Sequence, residues 1–257
     1  MKRDPRSDST SPTPPQTGGA VEVVAPGGHA GLRHDEAVVF KPAGLSSERS
    51  ERETGDSLAV RVQSQFGWPG CWLPHRLDRP TRGLMVVCGS SEAVSRCSEE
   101  LRAGAWTKWY LARIPLRSLG RNALHPDAST LVGPHKAYLK RVGRLSASVR
   151  SGGDPSRLEV LAVEPATDDP KTAHALIRLD TGRYHQIRVM LATLGFPLIG
   201  DSDYRGEQGS PSIDLEAVAL RIVRGGFTHR HRLALHPARR GVSTRLEMEL
   251  DRVIREG

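Results

Sequence analysis

At 257 residues the chain has length for one large domain or two small ones, with a real hydrophobic core. Lysine and arginine number 37 against 29 aspartates and glutamates, and the net charge of +8 is compatible with a polyanionic partner, most simply nucleic acid. The three cysteines, Cys71, Cys88 and Cys97, form no CxxC pair, which excludes a disulfide framework or zinc knuckle and fits a reducing cytoplasm.

The first 30 residues begin with basic side chains but lack the apolar core of a signal peptide. They are rich in Ser, Pro, Thr and Gly, so a disordered tail is expected there and the fold is expected over 31–257. Nothing in the chain is apolar enough to suggest a membrane partner. "AVVFKPAGL" reads as a short strand stopped by Pro42 and Gly44. In "GDSLAVRVQSQFG", Leu58, Val62 and Phe66 recur at helical spacing and Gly67 supplies the stop. "HRLDRPTRGLMVV" reads as a strand from its length and β-branched content. "SSEAVSRCSEELRAG" is a helix with a serine cap, Val94, Cys97 and Leu101 on one face, and Gly104 at its end. "WTKWYLARI" is a strand that puts Lys108, Tyr110 and Ala112 on one side. Residues 115 to 157 are weakly periodic, either a long surface excursion or a few short strands. "HALIRLDTGRYHQIRVMLATLGFPLIGDSDYRG" starts as an alternating strand, breaks at Thr181-Gly182 and continues as a helix. Arg183, His185, Gln186 and Arg188 then crowd its first turns, where free N–H groups and the dipole favour anions.

Familiar catalytic templates are missing: no GxxxxGKS/T loop, no GxGxxG after a strand, no HExxH and no GxSxG. Asp201-Ser202-Asp203 reads as a turn rather than a metal site. His229, His231 and His236 read as part of a basic strand rather than a zinc cluster. Aromatics are 5% of the chain, too few for recognition of single strands mainly by stacking. With metal, nucleotide cofactor and nucleophilic Ser or Cys disfavoured, a carboxylate is the remaining candidate. Asp78 is the one embedded in arginines.

Four blocks then carry a resemblance. "HRLDRPTRGLMVV" resembles the His-Arg-Leu-Asp signature of the RluA-type pseudouridine synthases, "VVFKPAGL" their Lys-Pro-Ala-Gly segment, and "KWYLARI" their Lys-x-Tyr-x-Ala strand. "LDTGRYHQIRVMLATLGFPLIGDSDY" is similar to their Thr-Gly-Arg-x-His-Gln-Ile-Arg helix and its follow-on. The blocks stand in the family's order across residues 37 to 206. The resemblance implies an α+β fold: a central, mostly antiparallel mixed sheet flanked by helices, with the site in a cleft. It implies an isomerase that breaks the N-glycosidic bond of a uridine, turns the uracil and rejoins it through C5, with no metal or other cofactor.

By the same resemblance Asp78 is the essential aspartate, acting as nucleophile at C1′ or as base at C2′. Arg76 displaces the target uridine from the helix. Tyr110 lies against the base and serves in removing the C5 proton, and Arg188 pairs with Asp78. His75, Thr81, Lys108, Arg183, His185 and Gln186, in the matching motifs, join Arg76 as expected substrate-binding residues. The physical reading agrees in outline: a buried, unpaired carboxylate takes up a proton, and Arg188 at a helix start opposes that. On a strand, Arg76 and Asp78 face the same side. The expected partner is structured RNA, tRNA or ribosomal RNA, with no DNA, and the expected state is a monomer.

The chain also departs from the family pattern. Arg82 replaces its serine and is expected to add bulk and charge beside the site; Met190 stands where a histidine often follows. "LEAVALRIVRGGFTHR" and "HRLALHPARRG" both resemble part of a later Leu-His-Ala segment. Two other readings follow: an RNA-binding protein on this scaffold with catalysis impaired through Arg82 or the C-terminal segment, and a metal-dependent hydrolase, which requires acids near Asp78.

Overall fold

The computed structural model describes residues 20–48, 55–118, 127–206, 212–233 and 240–256. Its centre is a sheet of ten strands: β1 (Glu22–Ala25), β2 (Glu36–Lys41), β3 (Arg82–Cys88), β4 (Trp106–Pro115), β5 (Gly133–Val142), β6 (Leu145–Val149), β7 (Asp154–Pro165), β8 (Thr172–Leu179), β9 (Leu215–Arg224) and β10 (Phe227–Arg232). The order across it is β1-β2-β3-β9-β4-β8-β7-β5-β6, with β10 paired to β9. Only β3 and β9 run parallel; the other pairs are antiparallel. This is the expected mostly antiparallel mixed sheet of an α+β fold.

Four α-helices cover it among the described residues: α1 (Leu58–Phe66), α2 (Ser91–Arg102), α3 (Gln186–Thr193) and α4 (Thr244–Glu256). Side chains alternate between the faces of a strand, so each strand feeds two cores. On one face Met85, Val87, Tyr110, Ala112 and Ile177 pack with Leu58 and Val62 of α1 and Ile187 and Leu191 of α3. On the other, Leu84, Val86 and Cys88 meet Ala93 and Cys97 of α2, while Trp109, Leu111 and Leu176 meet Leu246, Leu250 and Ile254 of α4. With both faces covered, β2 and β3 are buried from end to end and read as continuous apolar runs. Local signals set the helix ends: Ser57 and Ser90 accept the capping N–H bonds of α1 and α2, and Gly67 closes α1 in the left-handed conformation.

β3 reaches β9 by a close crossing at Gly83, opposite Ala217. A Cβ on Gly83 would lie 2.4 Å from the Ala217 carbonyl oxygen, and its φ of 126° suits glycine alone. The crossing brings the segment before β3 over the middle of the sheet.

Several expectations change. Residues 22–25 form β1, paired antiparallel to β2, so the stretch set aside as a tail to residue 30 reaches too far; residues 1–19 lie outside the described residues. The segment from Cys71 to Thr81 is a loop with one isolated bridge, Trp72 to Cys88, and the strand begins only at Arg82. Between 127 and 157 the chain forms β5, β6 and the start of β7, so the short-strand alternative describes it. α4, with Leu246, Leu250 and Ile254 on one face, is an amphipathic helix for which no expectation was drawn.

Candidate active site

The loop before β3 is held by its own backbone. Leu77 is buried, and its N–H and carbonyl both bond the Ser47 hydroxyl, at 3.3 and 2.7 Å. The Thr81 N–H donates to the Asp78 carbonyl at 2.9 Å, closing a tight turn around Arg79-Pro80. Lys41, at the end of β2 and fully buried, gives its ammonium hydrogens to the carbonyls of Pro42, Leu45 and Arg79 at 3.0, 2.7 and 3.1 Å. One buried cation therefore ties the Lys-Pro-Ala-Gly turn to the aspartate loop. Burial pulls its pKa down to about 7, with Asp78's charge opposing the fall.

Leu77 anchors the loop inward, and its neighbours point outward. The Arg76 side chain is 61% exposed, 3.5 Å from Glu48, and the Asp78 side chain is 16% exposed. No described residue donates a hydrogen bond to the Asp78 carboxylate. Burial pushes its pKa above the ordinary carboxylate range; Arg188, Arg76 and Lys41 pull it back, and Asp201 pushes it further up. Arg188 thus opposes the effect of burial on this acid, with desolvation the larger influence.

α3 supplies the facing group. Its N-cap, His185, sits at a left-handed φ of 55°, which turns the ring inward onto Tyr184, stacked at 3.9 Å. Arg188 can only donate, and its Nη1 lies 3.0 Å from His185 Nε2, so that nitrogen accepts and the proton rests on Nδ1. Nδ1 then donates to the Tyr204 hydroxyl at 3.0 Å, which in turn donates to the Ser146 carbonyl and accepts from the Ser146 N–H. His185 is accordingly neutral, its pKa lowered to about 4 by burial and by Arg188. Arg188 makes two 2.7 Å bonds to Asp201, one from Nε and one from Nη2, and a third from Nη2 to Asp203 at 3.0 Å. Four of its five N–H groups are thus engaged. The last, on Nη1, faces Asp78 Oδ2 at 3.8 Å. Tyr110, buried on β4, has its phenol pKa pushed above its normal value by desolvation and by Asp78's charge.

Residues 35–193 match the family described as RNA pseudouridylate synthase. The dual-specificity RNA pseudouridine synthases RluA of Salmonella typhi and Escherichia coli K12 are each 30% identical over 199 residues, 74% of this chain and 84% of theirs. The ribosomal large subunit pseudouridine synthase D of Pseudomonas aeruginosa is 28% identical over 180 residues, 68% of this chain and 52% of that protein. The chain belongs to the RluA-type RNA pseudouridine synthases. Human RNA pseudouridylate synthase domain containing 1 shares the fold, with a TM-score of 0.66 and 19% identity across 92% of this chain and 95% of that one. A second human structure, domain containing 4, aligns with a TM-score of 0.58 and 18% identity over 79% and 86%. The protein is therefore an isomerase that pseudouridylates RNA.

The synthase brings some expected site residues to the cleft and turns others to support. Arg76 and Arg183 are both exposed. Lys108 is half-buried on β4 with its pKa lowered by desolvation, and no described carboxylate pairs with it. Gln186 is largely engaged: its Oε1 accepts from the Arg183 N–H and the Thr181 hydroxyl, and its Nε2 donates to the Arg157 carbonyl. That clamp fixes the loop between β8 and α3 and leaves one Nε2 hydrogen over. His75 accepts the Val86 N–H at 3.0 Å and meets the Trp106 ring edge-on; burial holds its pKa down to about 3. It anchors the loop as a neutral ring. The Thr81 hydroxyl is buried without a hydrogen-bond partner among the described residues.

Arg82 is the clearest correction. It shares its face of β3 with Leu84 and Val86, away from Tyr110, and bonds Glu216 at 3.1 Å and Asp214 at 3.5 Å. It adds neither bulk nor charge to the synthase cleft. The residues missed are Lys41, Asp201, Asp203 and Tyr204. Asp201 and Asp203 frame a short 3-10 turn, Ser202–Tyr204, and only their return to α3 reveals them. They supply the acids near Asp78 that the hydrolase reading required, but both are bound to Arg188. Among the described residues no group of three or more His, Cys, Asp or Glu is placed to hold a metal ion; His236 lies outside them.

Proposed function

We propose that this synthase isomerises particular uridines of structured RNA through Asp78. The observation that carries the reading is the unequal treatment of three neighbouring acids. Asp201 and Asp203 are bound to Arg188, whereas Asp78 accepts no hydrogen bond from a described residue, is desolvated, and faces the cleft beside one unclaimed N–H. A carboxylate so placed serves either route, attack at the ribose C1′ or proton removal at C2′. In both, the N1–C1′ bond breaks, the uracil turns within the pocket, a C5–C1′ bond forms and the C5 proton leaves. Arg188 stabilises the anion without quenching it by a short bond.

Tyr110 remains a neutral phenol at physiological pH because burial and Asp78 both oppose its ionisation. If its oxygen takes the C5 proton, its own proton must pass on, and Asp78 is the base whose charge it feels. Flipping a base out of a helix costs a few kcal/mol, which phosphate contacts offset. Arg76, Arg183 and Lys108 are the cations we assign to that task. One relative is named for the large ribosomal subunit and another as dual-specificity, which supports ribosomal RNA as one pool to search, with tRNA as the second. The impaired-catalysis reading loses one of its two causes, since Arg82 points to the opposite face; the C-terminal segment remains the other. We further take the protein to act as a monomer in the cytoplasm, in line with its three free cysteines.

The test is tritium release from C5-labelled uridine in unmodified total tRNA and, separately, ribosomal RNA, with Asp78→Asn beside the natural chain. Release that vanishes in the variant, while RNA binding persists, supports the assignment. Equal release by both proteins rejects Asp78 as the reacting group.

A further inference from the structure

We propose that Asp201, assisted by Asp203, is a positioning residue for Asp78: it fixes the Arg188 guanidinium so that a single N–H faces the reactive acid across a gap and does not close onto it. This inference rests on the assignment of Asp78 above.

The argument begins from donor counting. A guanidinium has five N–H groups and seeks a planar, bidentate acid. If Asp78 were the only acid near Arg188, the lowest-energy arrangement would be a fork onto Asp78 with two short bonds. The carboxylate would then be shielded and its basicity lowered. The structure shows the fork occupied by a different acid. Asp201 takes Nε and Nη2 at 2.7 Å each, is itself 1% exposed, and so has no alternative partner in water. Asp203 takes the second hydrogen of Nη2 at 3.0 Å, and the neutral His185 ring takes one hydrogen of Nη1 at 3.0 Å. What remains for Asp78 is one N–H at 3.8 Å, beyond hydrogen-bond length.

Asp201 comes from the turn after α3 and Asp203 from the same turn, so the brace is built from chain outside the aspartate loop. Asp203 is also held from its outer side by Arg144, 3.4 Å away on the turn between β5 and β6. The charged and titratable groups around Asp78 are Lys41 at the end of β2, Arg76 on its own loop, Tyr110 on β4, His185 and Arg188 on α3, and Asp201 and Tyr204 from the turn. His185 and Tyr110 are neutral near pH 7 and Lys41 is only partly charged there, so the balance rests mainly on Arg188, Arg76 and Asp201. Asp201 acts twice in one direction: its charge disfavours the Asp78 anion, and its hold on Arg188 keeps the compensating cation at a distance. Both raise the basicity of Asp78 above that of a freely paired aspartate.

Asp201→Asn reverses both effects. The amide cannot accept the fork, Arg188 closes on Asp78, and a negative charge is lost. Single-turnover isomerisation across pH should show kcat about ten- to a hundredfold lower. Its acid limb, where Asp78 takes up a proton, should move to lower pH, with KM for RNA within about twofold of the natural value. Asp201→Glu keeps the charge but displaces the oxygens, so its kcat falls while its limb stays. Asp203→Asn removes one bond at the cleft rim and lowers kcat less than Asp201→Asn does. A residue with a merely structural role would change the melting temperature and leave the limb in place.

A natural kcat and an unmoved limb in Asp201→Asn overturn the inference. If that variant does not fold, Asp203→Asn decides: an unchanged kcat overturns the proposal and a lowered kcat at constant KM supports it. Asp78→Asn, run in parallel, separates the two levels. Turnover by it refutes the Asp78 assignment itself, whereas its inactivity beside a natural Asp201→Asn refutes the brace alone.

Discussion

Two arginines, one on each face of the sheet, are built from nearly the same parts and end differently. Arg224, on β9 at the face covered by α2, gives all five N–H groups away: to Glu100, to Glu36, to the Gly31 carbonyl and to the Cys97 sulfur. Arg188, in the cleft, gives four and leaves one facing Asp78. Both guanidiniums are buried and bridge two acids. A saturated cluster has nothing to offer a ligand and holds β9, β2 and α2 together. The unsaturated one has a directed remainder, and the acid it addresses is the one without hydrogen bonds. Function here is recognised by the incompleteness of an ion-pair network rather than by charge.

The comparison breaks most sharply at Asp78. Asp78→Asn should lower isomerisation by about a thousandfold or more, at unchanged melting temperature, since no described partner is left unpaired. Arg188→Lys keeps the charge but lacks the fork. It should cost about a hundredfold in kcat and also destabilise, because Asp201 is then left buried with one bond at best. Its counterpart, Arg224→Ala, should leave turnover per folded molecule intact. It should cost about 3 kcal/mol in a denaturant titration, because Glu36 is fully buried and keeps as cation only the more distant Arg96, 3.8 Å away. At an exposed position, Arg183→Ala should weaken RNA binding and reduce the slope of log affinity against log salt by about one. A kcat effect exceeding the binding effect would place Arg183 closer to the chemistry than to the phosphates.

The smallest effect is the acid dependence of folding. His185 and His231 have pKa values lowered to about 4, and His75 to about 3. Between pH 6.5 and those values the unfolded chain binds protons that the folded one refuses. Stability therefore falls as pH falls through that window, by at most about 1.4 kcal/mol per pH unit for each ring. Melting curves from pH 7 to pH 4 should show the decline, and His185→Asn should remove one ring's share of it.

Much of this was legible in the sequence. The apolar runs of β2 and β3, the capped helices α1 and α2, and the order of the four motifs follow from local spacing, and the structure sets Asp78 3.8 Å from Arg188 and within electrostatic reach of Tyr110. What failed to show is long-range. His75 to Thr81 read as strand because the motif was taken together with its β-branched apolar run. Only the Ser47 and Lys41 bonds, made more than 25 residues away in sequence, reveal a loop. Gln186 and His75 were expected as substrate contacts from the matching motifs, yet Gln186 clamps its own loop and His75 Nε2 accepts the Val86 N–H. Asp201 and Asp203 looked like an ordinary turn, since nothing local says that a helix ten or more residues earlier holds their partner. Arg82 was expected beside the site because it follows Asp78 closely in sequence, whereas its side chain turns to Glu216 and Asp214.

β9 lies between β3 and β4, although eight strands precede it along the chain. Until it inserts, β1–β3 form one patch of sheet and β4 to β8 another, and no described strand pair joins them. Asp78 belongs to the first patch; Tyr110 and Arg188 belong to the second and the helix after it. A ribosome delivering the chain in order thus emits every one of these groups before the strand that assembles them. Contacts of such long sequence separation form slowly. The nascent chain accordingly carries a basic surface but no assembled site, and competence to modify RNA arrives in one late step.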